Sequence, residues 1–284
     1  MTNGASAAMG TTVRDAGGRF HRARRVLWDR LVVGLCYLSA ALVILPLGLI
    51  VGHLLAKGFA GLNWAFFTRM PAPVGEVGGG MANAIVGTLI IVGLGGLLAI
   101  PVGVASGVYL AEFGRNKFAT LIRYTTDLLS GVPSIVVGVA AYGLVVVPMG
   151  RFSALAGGAA LSILMLPTII RSTEEMVRLV PQSYRHAALA LGAPRWKVTQ
   201  QVVLPAAQAG ILTASMLAVA RAAGETAPLL FTALGSRLVN VGDFTKPMDA
   251  LPLFIYVNAR QPVELQNQQA WGAAFLLLLF VLVV

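Results

Sequence analysis

Charged side chains are scarce in this sequence. They make up 11% of its 284 residues, against 57% apolar ones, and the mean hydropathy is +0.80. Soluble domains carry roughly 25% charged residues, so this shortage excludes an ordinary soluble domain. Acidic residues are the rarer sign, 11 against 21 Lys and Arg, which leaves a net charge of +10. The single cysteine, Cys36, excludes an intrachain disulfide; inside an apolar run its thiol reads as a small apolar group. The three histidines, His21, His53 and His186, lie too far apart for metal-ligand spacing, so no metal site is expected. There is no G-x-x-x-x-G-K-[ST], G-x-S-x-G, H-E-x-x-H or C-x-x-C. A phosphate-cradling ATP loop and the common hydrolytic and redox motifs are therefore missing. The chain is expected to be non-catalytic, with no cofactor of its own.

What the sequence has instead is long apolar runs. A membrane span needs about 20 mostly apolar residues. Six candidates qualify: 31–56, 82–111, 128–150, 152–170, 206–236 and 270–284. The expected fold is an all-α polytopic membrane protein of about six transmembrane helices. Only Gly150-Arg151 splits the third and fourth runs, which read as a helical hairpin. The last run holds about 15 residues, roughly 22 Å of helix. Either upstream residues join it or the natural chain continues past Val284; the latter is the expectation here. Residues 1–30 read as a basic tail, 31–56 as an uncleaved first span, 57–81 as an outer loop, and 82–284 as the main membrane domain.

The Lys and Arg distribution sets an orientation. With the N-terminus inside, segments 1–30, 112–127 and 171–205 hold 14 of the 21 Lys and Arg. Cytoplasmic loops carry such an excess, so the net charge is accounted for by the membrane, without nucleic acid. Gly48–Gly52 and Gly103–Gly107 are small-xxx-small pairs that let helices approach closely. Pro46, Pro101, Pro133 and Pro148 would kink or break spans.

The inner segment 171–205 is too long for a tight turn. Ser172-Thr-Glu-Glu175 fits a capping box for a helix carrying Met176, Leu179 and Val180. Pro181 can open a second helix, Gln182–Leu191, which Gly192 ends in a left-handed turn. Pro194 starts a third piece that leads to Leu204-Pro205. The small residues after His186, namely Ala187, Ala188 and Ala190, suit either insertion into a groove of another protein or an interfacial helix with no partner.

Ala187-Ala188, Gly192 and Leu204-Pro205 resemble the EAA loop of bacterial ABC importer permeases, with His186 in place of the usual glutamate. Gly78–Leu89 (GGGMANAIVGTL), Gly131–Gly138 (GVPSIVVG), Arg221–Leu230 (RAAGETAPLL) and Asp249–Tyr256 (DALPLFIY) resemble the A-type permease subunits of phosphate-specific ABC transporters. The resemblance implies a type I importer permease that moves inorganic phosphate across a bacterial inner membrane. It implies a coupling loop of His186, Ala187, Ala188, Gly192, Leu204 and Pro205. The implied partners are a C-type permease subunit, two ATPase subunits that bind ATP and Mg, and a periplasmic phosphate-binding protein. The alternatives are a sulfate or molybdate permease of the same superfamily, or an ATP-independent anion transporter or channel.

Arg221 and Glu225 interrupt an otherwise uncharged run. A charge at mid-bilayer costs about 2.5–3.5 kcal/mol. Four residues apart, the two share a helical face and can pair, which alone would make them a packing tie. The functional alternative rests on chemistry. A guanidinium fork matches phosphate, Pro228 frees the Gly224 carbonyl and bends the helix, and Arg221 sits roughly 22 Å beyond Ala206. In the resembling permeases the matching pair belongs to the substrate pathway. Asp127 is expected to cap the third span or to pair with an inner arginine such as Arg123.

Overall fold

The computed structural model describes residues 6–60, 62–72 and 78–284, with side chains from Arg25 onward apart from Ala60. It divides into two units, residues 1–55 and 56–284. The first unit is essentially one helix. Our α1 (Ser6–Ala60) is helical from the basic tail through the first predicted span. The tail was expected to stand apart from that span. Nothing before Pro46 is incompatible with helix, and Arg and Ala are good helix formers. Leu31, Leu35, Cys36, Leu42 and Leu45 are all exposed, as suits a lipid-facing helix. A Cβ at Gly48 or Gly52 would meet nothing within 4 Å.

The second unit is the bundle. Its helices are α2 (Trp64–Thr68), α3 (Ala82–Glu112), α4 (Lys117–Gly131), α5 (Ser134–Met149), α6 (Ala154–Leu179), α7 (Gln182–Ala190), α8 (Arg195–Ala223), α9 (Ala227–Thr232), α10 (Leu251–Asn258) and α11 (Glu264–Val283). Among the described residues five helices are long and apolar enough to cross a membrane. The pair α4 and α5 supplies a sixth crossing if it is one span, bent by 110° at Val132-Pro133. The expected all-α architecture is therefore the observed one. Proline rules out the ordinary continuation at that bend, since the residue before it is pushed to extended backbone; Val132 has φ −74° and ψ 130°. Gly150 turns the α5–α6 hairpin at φ +66°, and the Ser153 hydroxyl accepts from the Ala156 amide to cap α6.

The seam between α3 and α6 is the centre of the unit. Small residues bring the two backbones together where larger ones could not fit. An added Cβ would lie 2.7 Å from Ile169 at Gly103 and 2.6 Å from Thr173 at Gly107. At Gly158, on the other helix, it would lie 2.8 Å from Leu94. Packing of this kind drives helix association in lipid, where burial from water contributes little between helices. Ile91, Leu161, Met165, Ile169 and Leu229 are buried around the seam.

Three expectations about helix limits need correction. Ser172–Glu175 caps nothing, because α6 runs unbroken to Leu179. Thr173 and Glu174 are buried on its packed face, so tertiary contacts carry the helix past a local start signal. The fifth run, 206–236, is not one helix. It begins earlier, at Arg195, and stops at Ala223. The last helix begins at Glu264, so upstream residues do join it and its length is 20 residues.

Wide helical turns at Tyr142–Val146 and Thr199–Val203 precede Pro148 and Pro205. The Val147 amide reaches back to Tyr142 and the Leu204 amide to Thr199, five residues each. Widening moves the carbonyl four residues back out of the way of the proline ring.

The seam yields a prediction. In Gly107→Ala the new Cβ meets the Ile170 carbonyl oxygen at 2.7 Å as well as Thr173, and backbone cannot swing aside. Stability of the chain in detergent should fall by about 1–3 kcal/mol. Gly93→Ala, which meets nothing within 4 Å, should leave it unchanged or raise it by up to about 1 kcal/mol. Thermal unfolding of the two variants side by side is the measurement; equal midpoints would show that the seam tolerates a side chain.

Candidate functional site

The segments singled out by sequence meet in pairs. Gly138, in α5, lies under the turn that opens α9: a Cβ there would fall 2.7 Å from the Pro228 Cα. Gly131–Gly138 and Arg221–Leu230 therefore form one junction. Gly87, in α3, abuts the Asp249 carbonyl oxygen, 2.0 Å from where a Cβ would stand. Asn83 Nδ2 donates to Asp249 Oδ2 at 3.2 Å and to the Ser236 carbonyl at 2.7 Å. The Leu251 amide donates to Thr88 Oγ1 at 2.7 Å. Gly78–Leu89 and Asp249–Tyr256 thus form a second junction. Burial raises the pKa of Asp249, in the connection before α10, to about 6, against the lowering effect of its bonds from Ala250 and Asn83. Asn83 and Asp249 were not among the predicted site residues. Their only signal was membership of the two resembling segments.

At the first junction α8 ends and the chain breaks at Gly224–Thr226 before α9 resumes with Pro228 in its first turn. The expected bend is a complete interruption. Proline removes the donor that would have closed the turn on Gly224, and Gly224 makes leaving the helix cheap. Arg221 lies in the last turn of α8, where a cation complements the exposed carbonyl ends. It is exposed, and Glu225 is half-buried in the break. The expected helical ion pair is not formed. Because Glu225 lies beyond the helix end, the four-residue spacing no longer puts the two side chains on one face. Among the described residues neither makes a hydrogen bond or ion pair. The junction thus offers a guanidinium with uncommitted donors and a carboxylate close by in sequence, beside a helix break held in place by Gly138.

The loop site is built as the spacing indicates. Gly192 follows α7 with φ +82°, and the Gly192 and Ala193 amides donate to Leu189 and Ala188 carbonyls at 2.9 and 3.2 Å. These bonds satisfy the carbonyls left open at the helix end. Ala188 packs against the apolar cluster that contains Val198, Val203 and Ala207, while His186, Ala187 and Gly192 are exposed. Leu191, 89% exposed, stands at the tip. Leu204 and Pro205 follow the wide turn within α8, and Ala188 of the small-residue helix and Leu204 pack on the same apolar cluster.

Arg185 fixes α7 to the bundle, a role its contribution to the charge count did not reveal. It lies inside α7 beside His186. Its Nε and Nη2 donate to Glu112 Oε1 at the end of α3, at 3.0 and 2.6 Å. Nη2 also donates to the Val177 carbonyl at 2.8 Å, and Nη1 to the Val180 carbonyl. One side chain thus serves an acidic partner and the open carbonyl end of α6. Asp127 pairs with Arg171 rather than Arg123. Arg123 instead reaches Glu174, at 2.8 Å.

A family model described as "Binding-protein-dependent transport system inner membrane component" matches residues 99–284. The "Phosphate transport system permease protein PstA" of Haemophilus influenzae is 42% identical over 256 residues, covering 89% of this chain and 90% of that protein. Its namesake from Yersinia pestis is 44% identical over 227 residues, 80% of this chain and 77% of the relative. Among solved structures, an inward-facing MetNI methionine ABC transporter shares the fold, with a TM-score of 0.57 at 19% identity over 72% of this chain and 91% of that one. Likeness that spans nearly the full length of such permeases, on a bundle with the same fold, leaves one assignment: the chain belongs to the family of binding-protein-dependent transport system inner membrane components and is a multi-pass membrane protein.

Proposed function

We propose that this chain is one of two permease subunits of an ATP-driven importer of inorganic phosphate in a bacterial inner membrane. The observation that carries the reading is the similarity to phosphate permeases over 89% of the chain. Arg221 beside a helix break supplies chemistry suited to that substrate. The partners in this reading are a C-type permease subunit, two ATPase subunits that bind ATP with Mg, and a periplasmic phosphate-binding protein. Hydrolysis then belongs to the ATPase chains, and this chain supplies the path and the coupling surface.

Arg221 is the substrate-pathway residue in this proposal. Its fork can donate two parallel bonds to a phosphate, which a lysine point charge cannot. Glu225 tempers the charge so that the anion is passed on rather than trapped. Residues His186, Ala187, Ala188 and Gly192 form the surface on which an ATPase docks, with Leu204 and Pro205, inside α8, passing its movement on along that helix. The Arg185–Glu112 bond then carries displacement of that surface into α3. The N-terminus lies inside, as the Lys and Arg distribution favours.

Arg221→Lys should reach the membrane normally and lose most phosphate uptake. Arg221→Gln with Glu225→Gln should also insert, retain the ATPase and fail to transport. Uptake of labelled phosphate by the assembled complex in vesicles, with sulfate as competitor, is the measurement. Wild-type uptake by the double variant would leave the pair with no substrate role, and competition by sulfate would redirect the specificity.

Gly192→Val places a β-branched residue at φ +82°, a strain of about 1–2 kcal/mol. The spans should still insert, while ATPase co-purification and substrate-stimulated hydrolysis fall. Normal values for both would remove the coupling role of this turn.

Orientation is tested with single cysteines in a Cys36→Ala background. Cysteines at Asn63 and Asp243 should react with an impermeant thiol reagent from outside, and one at Gln182 should react only after the cells are opened. Labelling at Gln182 in sealed cells reverses the topology.

A further inference from the structure

At the end of the bundle that carries α7, the end of α3, the α3–α4 turn, the middle of α4, the end of α6 and the first half of α7 enclose a cleft of about 380 Å³. Four arginines line it: Arg115, Arg123, Arg178 and Arg185. Gln182 adds a neutral donor. Two carboxylates offset part of this charge, Glu112 on Arg185 and Glu174 between Arg123 and Arg178. Four cations thus face two anions in a concave site.

The four arginines differ in what holds them. Arg185 is committed to Glu112 and two backbone carbonyls. Arg123 donates to Glu174, to the Leu110 carbonyl at 2.8 Å and to the Gly114 carbonyl at 3.2 Å. These two are fixed before any ligand arrives. Arg178 spends only Nη2, on Glu174, and its side chain is 56% exposed. Arg115 is exposed, and its side chain makes no hydrogen bond or ion pair to any described residue. Two fixed arginines, beside Arg178 with unspent donors and Arg115 with its whole fork free, suit a tetrahedral, multiply charged oxyanion. Such a group can accept from several forks at once, whereas one fork satisfies a single carboxylate. A concave wall with a surplus of positive charge also concentrates anions.

We infer that this cleft binds a phosphate group, separate from the pathway at Arg221. Arg115 belongs to the α3–α4 turn, Arg178 to the end of α6 and Gln182 to the start of α7. A ligand they share therefore ties the helix bearing the proposed ATPase-docking surface to the bundle end. Free inorganic phosphate would make the cleft a sensor of the transported product; the headgroup of an anionic lipid would make it a membrane anchor for α7. The chemistry is common to both sources.

The test uses the purified full chain in nanodiscs. In zwitterionic lipid, equilibrium dialysis against radiolabelled inorganic phosphate reads the free anion. In phosphate-free buffer with phosphatidylglycerol present, native mass spectrometry reads retained lipid. Arg115→Gln removes a side chain with no structural bond, so it cannot act by unfolding. It should weaken binding at least about tenfold, the effect of one lost charge-assisted hydrogen bond. Arg115→Gln with Arg178→Gln should abolish it, with Glu174 still held by Arg123. Arg221→Gln should leave binding in this cleft intact, which separates it from the pathway site. Retention of phosphate alone assigns the free anion, and retention of lipid alone assigns the headgroup. The proposal is overturned if the double variant binds both ligands as the wild type does, or if neither ligand binds the wild type. It is also overturned if the double variant loses only its association with the ATPase, which would make the cleft a contact for an acidic partner face.

Discussion

Close approach of α3 and α6 is the constraint on which the rest of this bundle depends. Gly103 and Gly107 remove the side chains that would hold the helices apart, and Ile169 and Thr173 occupy the space. Once that seam is closed, Glu112 and the α6 carbonyls of Val177 and Val180 fall within reach of one arginine on α7. The same seam brings Glu174 to Arg123 on α4. Widening it would undo both contacts at once. In a lipid solvent, where apolar surfaces gain little by leaving the bilayer for one another, such packing and the buried polar bonds at its ends are what select one arrangement.

The resembling segments take their physical meaning from their pairing. Gly87 against Asp249 and Gly138 against Pro228 are both places where a backbone must lie directly on another backbone. At one, Asn83, Thr88 and Asp249 satisfy polar groups that the turn before α10 would otherwise bury unpaired. At the other, the helix break after Arg221 is braced from below by α5. The Gly138–Pro228 junction fixes the break that carries the arginine, and the Gly87–Asp249 junction fixes the connection from α9 to α10. A motif read along the chain as a functional stretch is in large part a record of where two segments must touch.

Which features were legible follows from whether their cause is local. Gly192 was readable because a left-handed helix end needs glycine whatever surrounds it, and the Gly150 turn because two apolar runs had almost nothing between them. The long apolar helices were readable because hydrocarbon demands length and apolarity from each segment separately. The capping signal at Ser172–Glu175 misled because burial of Thr173 and Glu174 outweighs a local preference worth about 1 kcal/mol. The pairing of Arg221 with Glu225 misled because four-residue spacing implies one face only while the helix persists, and Gly224 ends it. Arg185 was invisible as a structural tie because both groups it holds, Glu112 and the end of α6, are brought to it only by the tertiary fold.

Proline marks the places where the continuous helices give way. Pro133 divides α4 from α5, Pro148 and Pro205 follow wide turns, and Pro228 opens α9 after the break. Each removes a backbone donor and forces its neighbours to compensate, by a bend, a widened turn or a gap. Three of the four lie near the elements proposed to work: Pro205 lies inside α8 just past its wide turn, Pro228 lies just beyond Arg221, and Pro133 lies at the foot of the helix that braces Pro228. α3 and α6 contain Pro101 and Pro167 yet stay helical through both, as α1 does through Pro46. Proline alone therefore does not decide the break. α4 and α8 end where a glycine comes shortly before the proline, Gly131 before Pro133 and Gly224 before Pro228, so that loss of a backbone donor coincides with a residue that leaves the helix cheaply. That contrast separates the unbroken central pair, α3 and α6, from these two places where the chain departs from helix.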